Sequence, residues 1–402
     1  MRLPATDWTT RADLAVLLKA LGTGQARYVG GAVRDTLLGL EVKDIDLATP
    51  LDPHEVMRRL KAHSISVVPT GIDHGTVTAI LKGGPVEITT LRHDVSTDGR
   101  RATVAFAQDW QDDAARRDFT INALYADPDT GELFDWFGGL DDLHARRIRF
   151  IGDARQRIRE DHLRILRYFR FQARFGSQPA DEEAESACSD LAATLKGLSR
   201  ERVGMEMMNL LALPNPAPTV ARMDQLGVLE VVLPEADGDA LARLIQHEEA
   251  EHVAPDPLRR LAALLPADVA LAEQVASRFR LSGAQKKRLA LAAGRSQNPP
   301  PLGEVASRSD DGGGGTARAL AYRLGRDAAL DRLLLAGEST APLRDWAIPV
   351  FPLKGGEIVA RGVKAGPDVA RILQAVEAAW IAQGFADDAV PTLLAAELST
   401  RQ

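Results

Sequence analysis

Residues 28–49 read YVGGAVRDTLLGLEVKDIDLAT, and they predict a strand, a glycine turn, a helix and a second strand. The β-type run at 27–29 breaks at Gly30 and Gly31, and residues 32–38 show a helical pattern that ends at Gly39. Two glycines between a strand and a helix let the backbone approach a ligand closely and direct free N–H groups at it. This arrangement suits a phosphate group.

The second strand carries two acidic residues, Asp44 and Asp46, on either side of Ile45. Residues two apart in a strand share a face, so both carboxylates point the same way while Ile45 points into the core. Carboxylates this close repel each other unless a divalent cation such as Mg²⁺ lies beside them. An isolated Asp-x-Asp pair is more often a solvated strand end, but after a phosphate-binding turn it indicates nucleotidyl transfer.

The same residues carry a family resemblance. Residues 28–49 resemble the signature of the DNA polymerase β-like nucleotidyltransferases, and GGAVRD followed by DIDLAT is similar to the form found in class II CCA-adding enzymes and bacterial poly(A) polymerases. The resemblance implies an α/β head, a polymerase β-like nucleotidyltransferase sheet with helices, followed by an all-α neck, body and tail. It implies Gly30, Gly31 and Arg34 as triphosphate contacts and Asp44 and Asp46 as ligands of two Mg²⁺ ions.

Composition limits the other possibilities. The chain has 402 residues, a net charge of −7 and a single cysteine, Cys188, which excludes an internal disulfide and fits a reducing cytoplasm. No apolar run reaches membrane-spanning length, and the first residues lack a secretory signal pattern. Residues 144–174 hold ten Arg, no Lys and three acidic residues, so a polyanion could bind locally despite the acidic total, although such runs are usually solvated faces.

The rest of the first 145 residues predicts a compact α/β unit. We expect helices at 9–21 and 53–63 and strands at 64–68, 76–81 and 86–91. Glu87 lies inside the last of these strands, and the resembling family has a third catalytic carboxylate near this position; the alternative is an edge-strand Glu facing water. Residues 92–111 show no obvious packed element, and in the family a mobile loop lies here.

A second motif reads RRDFTINA at residues 116–123. The pattern predicts a helix that begins here, anchored by its apolar side chains. The resemblance implies that Arg116, Arg117 and Asp118 contact the nucleotide and that Asp118 selects the ribose 2′-hydroxyl, which a deoxyribose lacks. An ordinary capping pair at a helix start is the alternative.

A third motif, EDHLRILRYFR, occupies residues 160–170. In one continuous helix Glu160 and Arg164 would pair, and the ridge of four residues would comprise Asp161, Arg164, Arg167 and Arg170. A surface helix with internal salt bridges explains the composition equally well. The resembling Glu-Asp-x-x-Arg element reads the incoming base, which implies that Asp161 and Arg164 recognise C and A, that Glu160 fixes Arg164, and that Arg167 and Arg170 lie by the triphosphate or primer end.

Composition shifts, together with what the resemblance implies, predict five segments: a nucleotidyltransferase head at 1–145, a helical neck at 146–215, a helical body at 216–295, a flexible Pro/Gly-rich linker at 296–315 and a helical tail at 316–402. A Gly turn followed by Pro367 in the tail fits contact with tRNA, and a plain helix–turn–helix packing corner is the alternative. The C-terminal half lacks the adjacent His-Asp pair of a phosphohydrolase module, since Glu248 follows His247 and Val253 follows His252, so we predict no hydrolase activity.

Taken with the resemblance, these motifs predict an enzyme that adds C, C and A to the tRNA 3′ end from CTP and ATP with Mg²⁺, in the cytoplasm, with no membrane and no obligate protein partner. Three alternatives stay open: a poly(A) polymerase, a partial enzyme adding only CC or only A, and an RNA-binding relative without catalysis. Residues 69–76, PTGIDHGT, look like the CCA-adding form rather than the basic strand usual in poly(A) polymerases.

Overall fold

The computed structural model describes residues 1–98, 101–107, 109–294 and 314–399. The chain forms two compact units, an N-terminal unit (Met1–Ser199 with Arg222–Val232) and a C-terminal unit (Arg200–Ala221 with Leu233–Gln402). The predicted linker at 296–315 lies outside the described residues except for its last two positions. The other segment boundaries stay predictions.

The N-terminal unit is built on a mixed sheet. Its strands are β1 (Arg27–Val29), β2 (Ile45–Thr49), β3 (Ser66–Gly71), β4 (Thr76–Leu81), β5 (Gly84–Thr90), β8 (Tyr125–Ala126) and β9 (Leu133–Phe134), while β6 (Arg92–Asp98) and β7 (Arg101–Phe106) form a separate two-stranded sheet. The seven strands lie in the order β3-β4-β5-β2-β1-β8-β9. Strands β2 and β5 pair in parallel, and the remaining neighbours in this sheet pair antiparallel. The parallel pair therefore brings two separate segments of the chain side by side.

Helices surround this sheet and make up the C-terminal unit. In chain order they are α1 (Ala12–Leu21), α2 (Gly31–Leu37), α3 (Pro53–Ala62), α4 (Trp110–Ala115), α5 (Gly139–His144), α6 (Ala154–Glu160), α7 (Arg164–Phe175), α8 (Glu182–Asp190), α9 (Arg200–Leu211), α10 (Ala217–Gln225), α11 (Val228–Val232), α12 (Gly238–Ala250), α13 (Pro257–Leu264), α14 (Val269–Arg278), α15 (Gly283–Ala293), α16 (Gly314–Leu324), α17 (Arg326–Ala336), α18 (Gly355–Val359), α19 (Pro367–Ala382) and α20 (Val390–Ser399). None of the helices in the described ranges is long and apolar enough to cross a membrane.

The first strand–turn–helix–strand unit forms as the sequence predicts. Gly30 has φ 67° and ψ −123°, a conformation that residues with a side chain avoid, so the turn into α2 requires glycine at this position. Leu47 of β2 is fully buried and Ile45 nearly so, whereas Asp44 and Asp46 retain solvent contact. The alternation along β2 therefore places the apolar side chains in the core and the acids on the opposite face.

The helix predicted to begin at residue 116 does not form. Helix α4 ends at Ala115, and residues 120–122 make only a single 3₁₀ turn. The backbone here pairs with another segment instead: the Thr120 N–H donates to the Arg149 carbonyl, and the Ile151 N–H donates to the Asp118 carbonyl. These bonds to the chain around Phe150 replace the i→i−4 bonds that a helix would need.

The continuous helix predicted through residues 160–170 is also wrong. Helix α6 ends at Glu160, and Asp161 adopts an extended backbone (φ −151°, ψ 104°) before α7 begins at Arg164. The Asp161 carboxylate accepts from the Leu163 N–H at 3.1 Å, so a local side-chain bond turns the chain between the two helices. Asp161 therefore does not lie on a helical ridge with the arginines of α7.

Residues 92–106, for which no packed element was predicted, contain an antiparallel hairpin. Strands β6 and β7 pair from Arg92 with Phe106 to Asp98 with Arg101. Two backbone hydrogen bonds connect the base of this hairpin to the end of β2. The Leu91 N–H donates to the Thr49 carbonyl at 2.8 Å, and the Ala107 N–H donates to the Leu91 carbonyl at 2.8 Å.

The C-terminal unit contains a buried charge network. Arg259 and Arg260 of α13 are 4 % and 1 % exposed, and both pair with Glu248 of α12. Arg259 also pairs with Asp331 of α17 at 3.0 Å. Arg260 donates in addition to backbone carbonyls at the end of α9, those of Leu211, Leu213 and Pro214. Each buried charge thus has an ionic partner, as burial demands.

The single cysteine of the chain is buried in the N-terminal unit. Cys188 lies in α8 with no exposed surface, and burial raises the pKa of its thiol well above the usual value. A buried thiol of this kind reacts slowly because the thiolate is the reactive form.

Candidate active site

Two carboxylates predicted to be catalytic lie directly opposite each other. Asp46 of β2 is the register partner of Glu87 of β5, and the two strands run parallel. Residues paired across neighbouring strands project to the same face of the sheet. Asp44 comes two positions before Asp46, just ahead of β2, and is exposed to solvent, as is Glu87.

The surroundings of Asp46 disfavour the ionised form of its carboxyl group. Burial, together with the negative charges of Glu87 and Asp44, raises the pKa of the Asp46 carboxyl to about 6, although Arg117 opposes the increase. A carboxyl group held in this state is stabilised by any added positive charge. Such perturbed acids are concentrated at functional sites.

Arg117 owes its position to a buried acid that sequence reasoning overlooked. Asp113 of α4, 1 % exposed, accepts from Arg117 Nη2 at 3.3 Å, Arg116 Nε at 2.8 Å and Tyr125 Oη at 2.5 Å. It also accepts from the backbone N–H of Arg92, where the hairpin begins. Burial alone would raise the pKa of Asp113, but the charges of Arg117 and Arg116 lower it to about 2.

The glycine turn lies beneath the same guanidinium. A Cβ placed on Gly30 would stand 3.3 Å from Arg117 Nη1, and the Gly30 N–H donates to the Leu124 carbonyl at 3.1 Å. Gly31 is the first residue of α2. The turn predicted to bind phosphate and the arginines of the second motif are therefore neighbours.

The Arg34 side chain is buried and hydrogen-bonded within the protein, rather than exposed for contact with a phosphate group. Its guanidinium is buried at 6 % exposure and donates from Nε to Asp35 at 2.8 Å and from Nη1 to Asn122 Oδ1 at 2.5 Å. The Phe175 ring covers it at 4.2 Å. Burial lowers the pKa of Arg34, and the neighbouring Asp35 carboxylate counteracts this.

Asp118 is surrounded by hydrogen-bond donors. Its Oδ1 accepts from the Phe119 N–H and from Asn122 Nδ2, each at 2.9 Å, and its Oδ2 accepts from Arg167 Nε at 2.8 Å and Nη2 at 2.5 Å. Burial favours its neutral form, but Arg167 and these bonds lower the pKa of Asp118. Four donors fill the roughly four acceptor positions of a carboxylate.

The pair predicted between Glu160 and Arg164 is present. Arg164 Nη1 donates to Glu160 Oε2 at 2.7 Å and to the Arg157 carbonyl at 2.8 Å. Its other terminal nitrogen donates to the Arg116 carbonyl at 3.4 Å, so the start of α7 lies against the second motif. Asp161 occupies the break immediately before this helix.

Most of the remaining arginines in residues 144–174 pair with acidic side chains. Arg170 lies over the Phe171 ring at 4.9 Å. Five of these arginines form ion pairs: Arg147 and Arg149 with Asp142, Arg155 with Asp190, Arg157 with Glu160, and Arg174 with Asp35. Much of this positive charge is thus neutralised within the N-terminal unit.

The carboxylates of Asp46 and Glu87 fit a magnesium ion that takes its other ligands from water and substrate phosphate. Within the described ranges, no three or more His, Cys, Asp and Glu side chains converge to hold a metal ion. Mg²⁺ commonly takes one or two carboxylates and completes its shell with water and substrate phosphate oxygens. The facing carboxylates of Asp46 and Glu87, with the raised pKa of Asp46, match that requirement.

Family comparisons agree with this geometry. Residues 26–149 match the model for the poly A polymerase head domain, and residues 180–239 match the model for a probable RNA and SrmB-binding site of polymerase A. The mixed sheet with its acidic face and the helices beyond it define a nucleotidyltransferase with the polymerase β-like fold.

Individual relatives narrow this class. The CCA tRNA nucleotidyltransferase 1, mitochondrial, of Danio rerio is 35% identical over 373 residues, which cover 89% of this chain and 83% of the relative. A CCA-adding enzyme of Streptococcus gordonii is 41% identical over 217 residues, 53% of each chain. The chain therefore belongs to the family of CCA tRNA nucleotidyltransferases, which confirms the resemblance, and it is an enzyme.

Solved structures share the fold. The CCA-adding enzyme of Bacillus stearothermophilus in complex with CTP superposes with a TM-score of 0.73 at 23% identity, covering 96% of this chain and 98% of that chain. The Thermotoga maritima CCA-adding enzyme complexed with tRNA gives a TM-score of 0.66 at 23% identity, covering 94% and 92%.

Proposed function

We propose that this protein adds C, C and A to the 3′ end of tRNA, using CTP and ATP. The observation that carries the proposal is the facing of Asp46 and Glu87 on parallel strands beside Arg117, in a chain of this family. In the reaction the terminal 3′-oxygen attacks the α-phosphorus of the nucleotide. The bond from that phosphorus to the bridging oxygen breaks, pyrophosphate leaves, and the hydroxyl proton is released.

Mg²⁺ is the proposed cofactor, held by Asp44 and Asp46 with Glu87 as the third carboxylate. When bound, such an ion supplies positive charge that favours ionisation of the attacking hydroxyl and stabilises the leaving pyrophosphate. Support comes from the raised pKa of Asp46, because burial and the charges of Glu87 and Asp44 both disfavour its ionised form, which a bound cation would stabilise.

The triphosphate is proposed to lie along the glycine turn. Gly30 and Gly31 leave room for close approach, and Arg116 and Arg117 bring positive charge that Asp113 holds in place. Because Arg34 is buried against Asp35 and Asn122, its role in phosphate binding is proposed to be support of this turn through α2.

The base is proposed to be read at the start of α7. Cytosine and adenine both present an amino donor beside a ring-nitrogen acceptor, which an Asp acceptor and an Arg donor complement. Asp161 and Arg164 provide these groups, and the Arg164 guanidinium is fixed by the 2.7 Å hydrogen bond that it donates to the Glu160 carboxylate. Arg167 and Arg170 follow on the same helix, on the side of the sugar and primer end.

The sugar is proposed to be selected at Asp118. Its acceptor positions are filled in the structure, so a ribose 2′-hydroxyl reaches it by replacing one of the bonds from Arg167, whose side chain is about one-third exposed. A deoxyribose lacks the 2′-hydroxyl donor that makes this exchange.

The decisive experiment uses purified protein with tRNA that lacks CCA and, in a parallel reaction, tRNA that already ends in CC; the expected results below are for the first substrate. With CTP alone the tRNA is expected to gain two residues, with both nucleotides three, and with ATP alone none. Addition of A runs would indicate a poly(A) polymerase, and addition that stops at CC or starts only from CC would indicate a partial enzyme. Complete inactivity with Mg²⁺ present would favour the non-catalytic RNA-binding alternative.

The named relatives are mitochondrial or bacterial, so a cytoplasmic location stays a prediction.

A further inference from the structure

One amide connects the two halves of the proposed nucleotide site. Asn122 lies in the single 3₁₀ turn after the second motif and is 8 % exposed. Its Oδ1 accepts from Arg34 Nη1 at 2.5 Å, and its Nδ2 donates to Asp118 Oδ1 at 2.9 Å. Arg34 belongs to α2, and Asp118 holds Arg167 of α7.

Only an amide satisfies both neighbours. A guanidinium offers donors alone and an ionised carboxylate offers acceptors alone, so the residue between them must accept on one side and donate on the other. An Asp in this place would set a second carboxylate against Asp118, and an apolar residue would leave two buried charged groups each short of a partner. The orientation of the Asn122 amide is fixed by the same requirement.

We propose that Asn122 is a positioning residue for nucleotide binding, which fixes Arg34 under the phosphate turn and Asp118 with Arg167 at the sugar in one rigid arrangement. The proposal rests on the proposed function, because it assigns the triphosphate to α2 and the ribose to Asp118. Loss of the amide frees the Asp118 carboxylate to rotate, so discrimination between ribose and deoxyribose falls together with affinity.

The test measures binding of CTP and of dCTP to the full-length protein without tRNA. Compared with the parent, Asn122→Ala is expected to reduce the preference for CTP over dCTP by about tenfold, since a hydrogen bond to a charged group has about that value. Thr120→Val is the matched control. It removes a buried hydrogen bond from the same turn, that of Thr120 Oγ1 to Asp142 at 2.6 Å, without contact to Arg34 or Asp118. It is expected to lower thermal stability while keeping the parental preference.

An exchange variant tests the polarity of the bridge. Asn122→Asp alone places two carboxylates together and is expected to lower both stability and CTP affinity. Adding Asp118→Asn relieves that repulsion, because an amide at position 118 can donate to the new carboxylate, so thermal stability is expected to recover in part. CTP affinity is not expected to recover, since Asp118 also accepts from Arg167 and from the Phe119 N–H. A double variant that is no more stable than Asn122→Asp would show that position 122 does not face the Asp118 carboxylate, which would overturn the proposal.

Three further results would separate the role of Asn122 from the proposed function. If Asn122→Ala loses stability but keeps the parental preference for CTP, the residue is merely structural and the proposal is wrong. If the parent prefers CTP over dCTP but does not extend tRNA, the proposed function fails while the positioning role is still measured by the ratio. A parent that binds neither nucleotide overturns both.

Discussion

Asp46 and Glu87 are register partners on the parallel pair β2 and β5, although β3 and β4 lie between them in the chain. Residues from two segments thus share one face of the sheet, where burial and mutual repulsion disfavour the ionised form of Asp46. This relationship makes the acids the first place to test the site.

Asp46→Asn should separate activity from stability. We expect tRNA extension to fall by about a thousandfold, comparable to the loss of one strong electrostatic contact in other enzymes. The free energy of unfolding at pH 7 without metal should rise by roughly 1–2 kcal/mol, because the pKa of Asp46, about 6, lies above its unfolded value.

The sign follows from proton linkage. The native protein binds a proton at Asp46 more readily than the unfolded chain does, so the parent loses stability relative to the variant as pH rises from about 4 to 6. Denaturant titrations at several pH values measure this, with the exposed Asp129→Asn as control. Equal stability curves for parent and Asp46→Asn across that range would contradict the electrostatic account.

Asp113→Asn should destabilise the N-terminal unit by about 2–4 kcal/mol, because Arg116 and Arg117 would lose their buried counter-charge. The lowered pKa of Asp113, about 2, means that its contribution is complete above about pH 4 and is lost as pH falls toward 2. Acid unfolding monitored by circular dichroism measures both effects. The adjacent Asp112→Asn, at an exposed position of the same helix, should change neither.

Gly204→Ala should destabilise the C-terminal unit. A Cβ on this residue of α9 would lie 2.6 Å from the Phe279 carbonyl oxygen and 2.7 Å from Phe279 Cβ, so the backbone must shift. We expect a loss of about 1–3 kcal/mol in chemical denaturation. Gly283→Ala, in α15, meets no atom within 4 Å and serves as the matched control. Similar midpoints for the two variants would show that the packing of α9 against Phe279 is looser than described.

Glu160→Gln should relax base selection without abolishing catalysis. The Arg164 guanidinium would keep its bond to the Arg157 carbonyl but lose the charged partner at 2.7 Å. Incorporation of UTP relative to CTP is expected to rise by about tenfold, since a charge-assisted bond contributes about that factor. Primer-extension assays with single nucleotides measure the ratio. Glu183→Gln, an exposed position in α8, should leave it unchanged, and an unchanged ratio in Glu160→Gln would remove this residue from base reading.

The local sequence pattern was sufficient to predict the elements and contacts that residues close in sequence form. Strand β4 begins and ends where the apolar run predicts, and α2 follows Gly30 because the turn requires a positive φ. The pair of Glu160 and Arg164 is likewise a short-range contact that spacing reveals.

Long-range pairing explains what the sequence did not reveal. The second motif was expected to open a helix, but its backbone bonds to residues 149–151 instead. Asn122 stands in that motif and could have been noted as a polar residue among apolar ones, yet its partner Arg34 is 88 residues away. In the sequence Asp113 looks like an ordinary acidic residue in the first turn of a helix. Its role depends on hydrogen bonds from Tyr125 and from the Arg92 N–H, which only the folded chain brings next to it.

The inaccessible sulfur of Cys188 has a practical consequence, since the chain contains no other cysteine. A single cysteine introduced at an exposed site such as Gln111 would be the one readily modified by maleimide dyes under native conditions. Fluorophores could then be attached without first removing a native thiol, which opens the molecule to spectroscopic observation during successive turnovers.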